Sequence, residues 1–475
     1  MKAQDGGAPR RAGLLLAAGT FLLLRLLPVP EGLSAAGWAV AAVGSAMAIL
    51  WFTEAIPISV TAALPFLLLP AMGVGTPADI AASYWSPILF LVLGGAMVAR
   101  AVEKTGLHRR VALAVVKRAP GTRFGLLLGF MAATAVISMI VSNTASALIM
   151  LPVALALLAA VEPTLPEARR QGFGKALVLG VAWAATLGGL GTLVGSPTNA
   201  IAAGIINRAM DVEIDFLTWL GFGLPVVLIA LPVTALVLTG LHRVSGARLD
   251  RELVAAAIGE AGPLSVPERR LLPLIVLLLA GWVSLPLLRE PLGLPPVDDG
   301  TLAMAAGLLL FALPTGRTPG ERFLEPEDLP SLPWPILLLF GGGLALAGAI
   351  TDSGLAAYIG EQLEGLQAVH PMLLAMLLVL LIVMVTEFAS NVATASGFIP
   401  VVAAVAAGGA APPLALAMPA ALASSWGFMM PAGTPPNAIA FSSGRLRVAD
   451  MVKGGFVINL IGVPLLVLVC FAIAG

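Results

Sequence analysis

The sequence predicts an all-α polytopic membrane protein of about 11 transmembrane helices plus two re-entrant hairpins, built as inverted-topology repeats. Three observations predict it. The 475 residues are 59% hydrophobic and 11% charged, with a mean hydropathy of +0.99, where soluble domains carry about 25% charged residues. Apolar runs long enough to cross roughly 30 Å of hydrocarbon recur along the whole chain, without the short alternating strands of a barrel. The third observation is an internal repeat. "PILFLVLGGAMVARAVEKTGL" at 87–107 matches "PILLLFGGGLALAGAITDSGL" at 335–355 in ten of 21 positions without a gap, at an offset of 248.

The elements follow in order. "RRAGLLLAAGTFLLLRLL" has the look of a signal peptide, but Arg25 interrupts it and no small-residue cleavage site follows, so 12–28 is read as the first span. Further spans are expected at 34–52, 55–72, 85–102, 174–206, 216–241, 270–288, 299–314, 334–351, 412–442 and 454–474. The regions 124–161 and 371–409 are each long enough for two short limbs folded back on themselves, with Ser-Asn in the middle. The expected organisation is 1–80 as N-terminal spans, 81–242 as the first repeat, 243–333 as linker and spans, and 334–475 as the second repeat. With the N-terminus cytoplasmic and the C-terminus outside, every Lys and Arg except Arg25, Arg208 and Arg289 falls on the inner side, as the positive-inside rule requires. The expected location is a cell (inner) membrane. Nucleic acid is not an expected partner, and the single Cys470 can form no internal disulfide.

The same offset lays "SNTASALIMLPV" (142–153) on "SNVATASGFIPV" (390–401) and Ser138 on Thr386. "GSPTNAIA" (195–202) and "GTPPNAIA" (433–440) match at an offset reduced to 238, which a shorter intervening loop in the second half would explain. Proline removes a backbone donor and clashes with the preceding turn, and glycine opens backbone angles closed to other residues. Each of these motifs is therefore read as a helix break, and each Ser-Asn as a hairpin tip. Four helix N-termini would offer unpaired N–H groups and partial positive charge, an anion site without arginine. Freed carbonyls, hydroxyls and amide oxygens would form one oxygen cage per repeat, suited to a hard cation such as sodium.

The expected sodium ligands are Ser138, Ser142, Asn143 and Gly195 in one repeat and Thr386, Ala389, Asn391 and Gly433 in the other, with Ala389 and the glycines acting through carbonyls. The anion is expected against Ser142, Asn143, Thr144, Ser196, Ser390, Asn391, Val392, Thr434 and Pro435. Val392 puts a methyl where Thr144 has a hydroxyl, so the second half should grip the anion less symmetrically. Glycines 94–95 and 341–343 are read as close helix packing. Glu387, whose counterpart is Met139, is read as orienting the tip or bonding a neighbouring helix, and Glu54 as part of a helix junction. His108, His242 and His370 are placed in loops, away from any metal role.

The stretches "WFTEAIPISVTAALPFLLLP", "SNTASALIMLP", "DDGTLAMAAGLLLFALP", "TEFASNVATASGFIP" and "MMPAGTPPNAIAFSSG" resemble the divalent anion/sodium symporter family, the sodium-dependent di- and tricarboxylate carriers, over roughly residues 40–470. The resemblance implies a homodimer in which each protomer has a dimerising scaffold and a transport part of hairpins and broken helices that moves as an elevator. It also implies C4-dicarboxylates such as succinate, fumarate and malate as substrates, with more than one co-transported sodium ion each. Its cation and substrate positions fall on the residues named above.

Exchangers of the family resemble the symporters but place a fixed positive side chain where sodium would sit, and neither expected cage here contains Lys, Arg or His. A dicarboxylate carries two negative charges and a helix end supplies only about half a unit, so mobile cations are expected to make up the difference. Symport is thus favoured over exchange. Competing with it are carriers for citrate, sulfate, phosphate or arsenite, a sodium/proton antiporter, for which only Glu387 is a candidate carboxylate, and a channel. An intramembrane protease would need a base beside its serine, and none is placed there.

Overall fold

A computed structural model describes residues 7–244, 248–259, 262–293, 297–362, 370–407 and 412–474. Residues 408 and 409 of the expected second hairpin, and 363–369 of the loop before it, lie outside the described residues. The chain is helical wherever the apolar runs placed helices. Among the described residues seven helices are long and apolar enough to cross a bilayer singly, or up to eight if the bent pair Pro77–Ser83 and Pro87–Thr105, 41° apart, is one span.

Two expected spans come out short. The run at 55–72 divides into Ile58–Thr61 and Leu64–Ala71, because Pro65 has no N–H to return to Thr61. The run at 299–314 is the helix Asp299–Ala312. Two segments read as loops contain short helices instead. Leu107–Lys117 and Leu355–Gln362 each follow a glycine in the left-handed region, Gly106 and Gly354, both at φ 78° and 248 residues apart. His108 therefore lies on a helix rather than in a loop, and His242 and His370 sit at helix ends.

Both hairpins form. The first consists of Arg123–Ser138 and Asn143–Val161, the second of Pro371–Thr386 and Asn391–Ala407, so the tips keep the 248-residue offset to the residue. Both broken spans form as well. They are Glu167–Leu190 with Pro197–Met210, and Pro413–Ala423 with Pro435–Ser442. The shorter loop expected in the second half falls on 408–411, outside the described residues. The half-helix before the break shrinks between the repeats, from 24 residues in Glu167–Leu190 to 11 in Pro413–Ala423. Its continuation is diverted, because the amides of Phe428, Met429 and Met430 donate to the Glu387 carboxylate rather than to carbonyls of a preceding turn.

The repeats interlock. Pro197–Met210 packs on the second arm of the second hairpin, and Pro435–Ser442 on the second arm of the first. Trp334–Asp352 packs on the N-terminal helices, and Asp299–Ala312 packs along Pro87–Thr105. The glycine clusters are packing surfaces, but not uniformly. A Cβ at Gly94 would strike the backbone of Ala303, and one at Gly342 the carbonyl of Ala62, whereas one at Gly343 would meet nothing closer than Ser396 Oγ at 3.7 Å. Gly342→Ala is therefore expected to cost about 1–3 kcal/mol through overpacking. Gly343→Ala is expected to be neutral or to stabilise by up to about 1 kcal/mol through helix propensity. Size-exclusion profiles of detergent-solubilised protein after graded heating separate the two, and equal losses would rule out the Ala62 contact.

Candidate functional site

The first hairpin turns over Met139–Ser142. Ser142 is extended (φ −60°, ψ 149°), and its Oγ accepts from Ala145 N at 3.3 Å, capping the second arm. Inside the turn, Ser138 Oγ lies 2.8 Å from Asn143 Oδ1 and 2.6 Å from the carbonyl of Ala185. A hydroxyl has one proton, so it can donate to only one of the two. Gly189 lies directly against the Asn143 amide, where any Cβ would collide with it. The inner atom of that amide lies 2.8 Å from Ser138 Oγ, 3.2 Å from Ala185 O and 3.3 Å from Gly195 O. The two ends of an amide have the same shape. With nitrogen inward the group donates to these oxygens; with oxygen inward it joins them in a set of four.

The first break, residues 191–196, is closed by its own motif. Asn199 Nδ2 donates to Gly189 O at 2.7 Å, a carbonyl freed where the helix is interrupted, and to Thr192 O at 2.8 Å, which also accepts from Gly195 N. Gly195 is enclosed by oxygens, since a Cβ there would lie 2.6 Å from Gly189 O and 3.0 Å from both Ser138 O and Thr192 Oγ1. Thr192 ties break to tip by donating to Met139 O at 2.5 Å. Ser196 caps Pro197–Met210, its Oγ accepting from Thr198 N at 3.4 Å.

The second repeat reproduces this arrangement with different side chains. Thr386 Oγ1 lies 2.9 Å from Asn391 Oδ1 and 2.7 Å from Ser424 O, the same choice of two acceptors for one proton. Ser390 Oγ accepts from Ala393 N at 3.2 Å, and Thr434 Oγ1 from Asn437 N at 3.3 Å. Asn437 Nδ2 donates to Gly427 O at 3.4 Å and Met430 O at 3.0 Å, as Asn199 does in the first break. The link from tip to break differs. Glu387, 1% exposed, accepts from Phe428 N (2.7 Å), Met429 N (2.9 Å to each oxygen), Met430 N (3.0 Å) and Asn459 Nδ2 (2.6 Å).

The structure brings together Ser138, Asn143 and Gly195, and separately Thr386 and Asn391, with Gly433 against Glu387 O and Met430 O. Ser142, Ser196, Ser390 and Thr434 cap the helices that leave the tips and breaks, with Pro435 in the first turn after Thr434. Ala389 N bonds Val385 O, closing the turn of the second tip. Thr144 and Val392 are half-buried beside the capping serines, and Val392 packs against two apolar clusters at once. Glu387 both orients its tip and bonds a neighbouring helix, and Glu54 ends Ala35–Thr53 in the left-handed region at φ 46°.

The residues that sequence reasoning passed over are Asn199, Asn437, Thr192, Asn459 and the carbonyls of Ala185 and Ser424. The two asparagines close the repeated Gly-x-Pro-x-Asn motif and were detectable from it. The others leave no pattern, because a carbonyl's role does not depend on its side chain and Thr192 and Asn459 have no counterpart at the same offset.

The family described as the sodium:sulfate symporter transmembrane region matches residues 10–473. The sodium-dependent dicarboxylate transporter SdcS of Staphylococcus saprophyticus is 38% identical, covering 97% of this chain and 90% of its own. The protein of the same name from Staphylococcus aureus (strain USA300) is 37% identical over 99% of this chain and 92% of its own. Among solved structures, the fold is shared with the YdaH transporter of Alcanivorax borkumensis (TM-score 0.54, 14% identity, 97% of this chain and 96% of that one). It is shared also with Neisseria gonorrhoeae MtrF (TM-score 0.59, 14% identity, 97% and 94%). With its full length matched and its repeats, hairpins and broken spans in place, the chain belongs to the sodium:sulfate symporter transmembrane family, the divalent anion/sodium symporters, and is a multi-pass membrane transporter rather than an enzyme.

Proposed function

We propose that the protein is a secondary transporter coupling sodium entry to uptake of C4-dicarboxylates such as succinate, fumarate and malate. The observation that carries this reading is the doubled oxygen set. In each repeat a hydroxyl, an asparagine amide and at least one backbone carbonyl face one another at a hairpin tip, and with the amide oxygen inward there are fewer protons than oxygens to share. Neutral oxygens gathered at unwound backbone suit an alkali cation. The segments 139–143, 191–197, 387–391 and 424–435 hold no Lys, Arg or His. The full-length relatives named as sodium-dependent dicarboxylate transporters support the same choice of ion and anion.

On this reading one sodium ion is held by Ser138, Ser142, Asn143 and Gly195, and a second by Thr386, Ala389, Asn391 and Gly433. The dicarboxylate lies against Ser142, Asn143, Thr144, Ser196, Ser390, Asn391, Val392, Thr434 and Pro435. Its carboxylates face helix N-termini, whose partial charge falls short of two full units, and the two cations complete the neutralisation. The hairpins and broken spans form the moving part of an elevator. The N-terminal helices with Pro87–Thr105, Asp299–Ala312 and Trp334–Asp352 form the scaffold through which two protomers pair. The N-terminus is cytoplasmic and the C-terminus outside, in a cell (inner) membrane.

Labelled succinate should enter proteoliposomes that contain no dicarboxylate when an inward sodium gradient is imposed, and should not enter without one. Uptake indifferent to sodium but requiring internal dicarboxylate would mark an exchanger instead. Asn143→Ala and Asn391→Ala are each expected to reduce sodium-driven uptake to background while the protein still elutes as the wild-type assembly. Near-normal uptake in both would remove the site assignment.

A further inference from the structure

We infer that Glu387 is a positioning residue for the second-repeat cation site alone, and that its charge makes that site the tighter of the two. The inference rests on the sodium reading above. Tip and break must be joined in both repeats, yet they are joined by different chemistry. In the first, the neutral hydroxyl of Thr192 donates to the Met139 carbonyl. In the second, the residue at the Met139 position is Glu387, and its carboxylate collects the amides of Phe428, Met429 and Met430.

A carboxylate offers about four lone-pair positions, and here three backbone amides and the Asn459 amide fill them. Glu387 therefore is not placed to ligate an ion itself. It borders the site nonetheless. A Cβ on Gly433, a proposed ligand through its carbonyl, would lie 3.4 Å from Glu387 O and 3.5 Å from Oε2. A full negative charge so close, in surroundings of low dielectric, favours a cation next to it. No acidic residue occurs among 134–147 or 185–200 of the first repeat.

The last helix, Val448–Ala474, holds the far side of the same loop. Asn459 donates to Glu387, Trp426 Nε1 donates to Ile458 O at 3.3 Å, and a Cβ at Gly455 would lie 2.5 Å from the Phe428 carbonyl. Residues 424–434 are thus fixed between the tip and the last helix, with Glu387 at the junction.

The test is sodium titration of the purified full-length protein without substrate. It is read by the thermal unfolding midpoint and by tryptophan fluorescence, since Trp183 and Trp426 sit edge-on to Phe428 at 5.8 and 5.4 Å. Asn143→Ala isolates the second site and Asn391→Ala the first. Glu387→Gln is expected to raise half-saturating sodium about tenfold, or about 1.4 kcal/mol, in the Asn143→Ala background and to leave it unchanged in the Asn391→Ala background. Asn459→Ala keeps the carboxylate and removes one of its donors. It should shift the same site in the same direction by less, and it carries the test if Glu387→Gln does not assemble. Equal shifts in both backgrounds, or none at the second site, would overturn the inference and leave sodium coupling standing. A wild-type protein whose unfolding midpoint and fluorescence ignore sodium would overturn both.

Discussion

Hydrocarbon offers no hydrogen-bond partner, so each backbone group released by a helix break in the membrane must be met by the protein itself. That constraint accounts for most of what surrounds the two tips. Asn199 and Asn437 reach back to take carbonyls at the ends of the incoming half-helices, while Ser142, Ser196, Ser390 and Thr434 take amides at the starts of the outgoing ones. Amide donors are consumed by caps, and the asparagine nitrogens by carbonyls. What remains facing inward at the tips is hydroxyl and carbonyl oxygen, with an asparagine amide that can turn its oxygen to join them.

The repeats meet the constraint with unlike residues, and the differences that reshape the backbone lie at positions that brace the tips. Ser138 and Thr386 play the same part, as do Asn143 and Asn391. The braces diverge. Thr192 uses one hydroxyl, whereas Glu387 uses a carboxylate that reorganises the following segment, lengthening the second break and shortening the helix before it. Glycine makes the compact first site possible. Gly188 lets Glu167–Leu190 approach the backbone of Ala135, and Gly189 leaves the Asn143 amide its place.

Sequence made the tips, breaks and repeat legible because each depends on residues with strong local consequences: proline, glycine, and polar side chains in an apolar run. The hairpin tips come out at the repeat offset because the same capping serine starts Asn143–Val161 and Asn391–Ala407. Apolarity alone could not show that 55–72 is divided, since Pro65 acts on a hydrogen bond and not on hydropathy. It also hid Leu107–Lys117 and Leu355–Gln362, which carry enough charge or are short enough to pass for loops. The partners of Glu387 could not be read at all, because three of its four donors are backbone amides.

The proposed coupling follows from where charge can be held. A dianion inside the membrane faces only partial charges at helix ends, each about half a unit, so on its own it remains under-neutralised. With the asparagine oxygens inward the sets have the complementary deficit, since more oxygens then meet there than there are protons to separate them. A cation relieves the second deficit and, lying within the same interlocked pair of repeats, offsets the first. Each solute then raises the affinity for the other by the same factor, as linkage demands. In this account, sodium dependence needs no separate sensor, because a site that lacks cationic side chains binds its anion well only with the cations present.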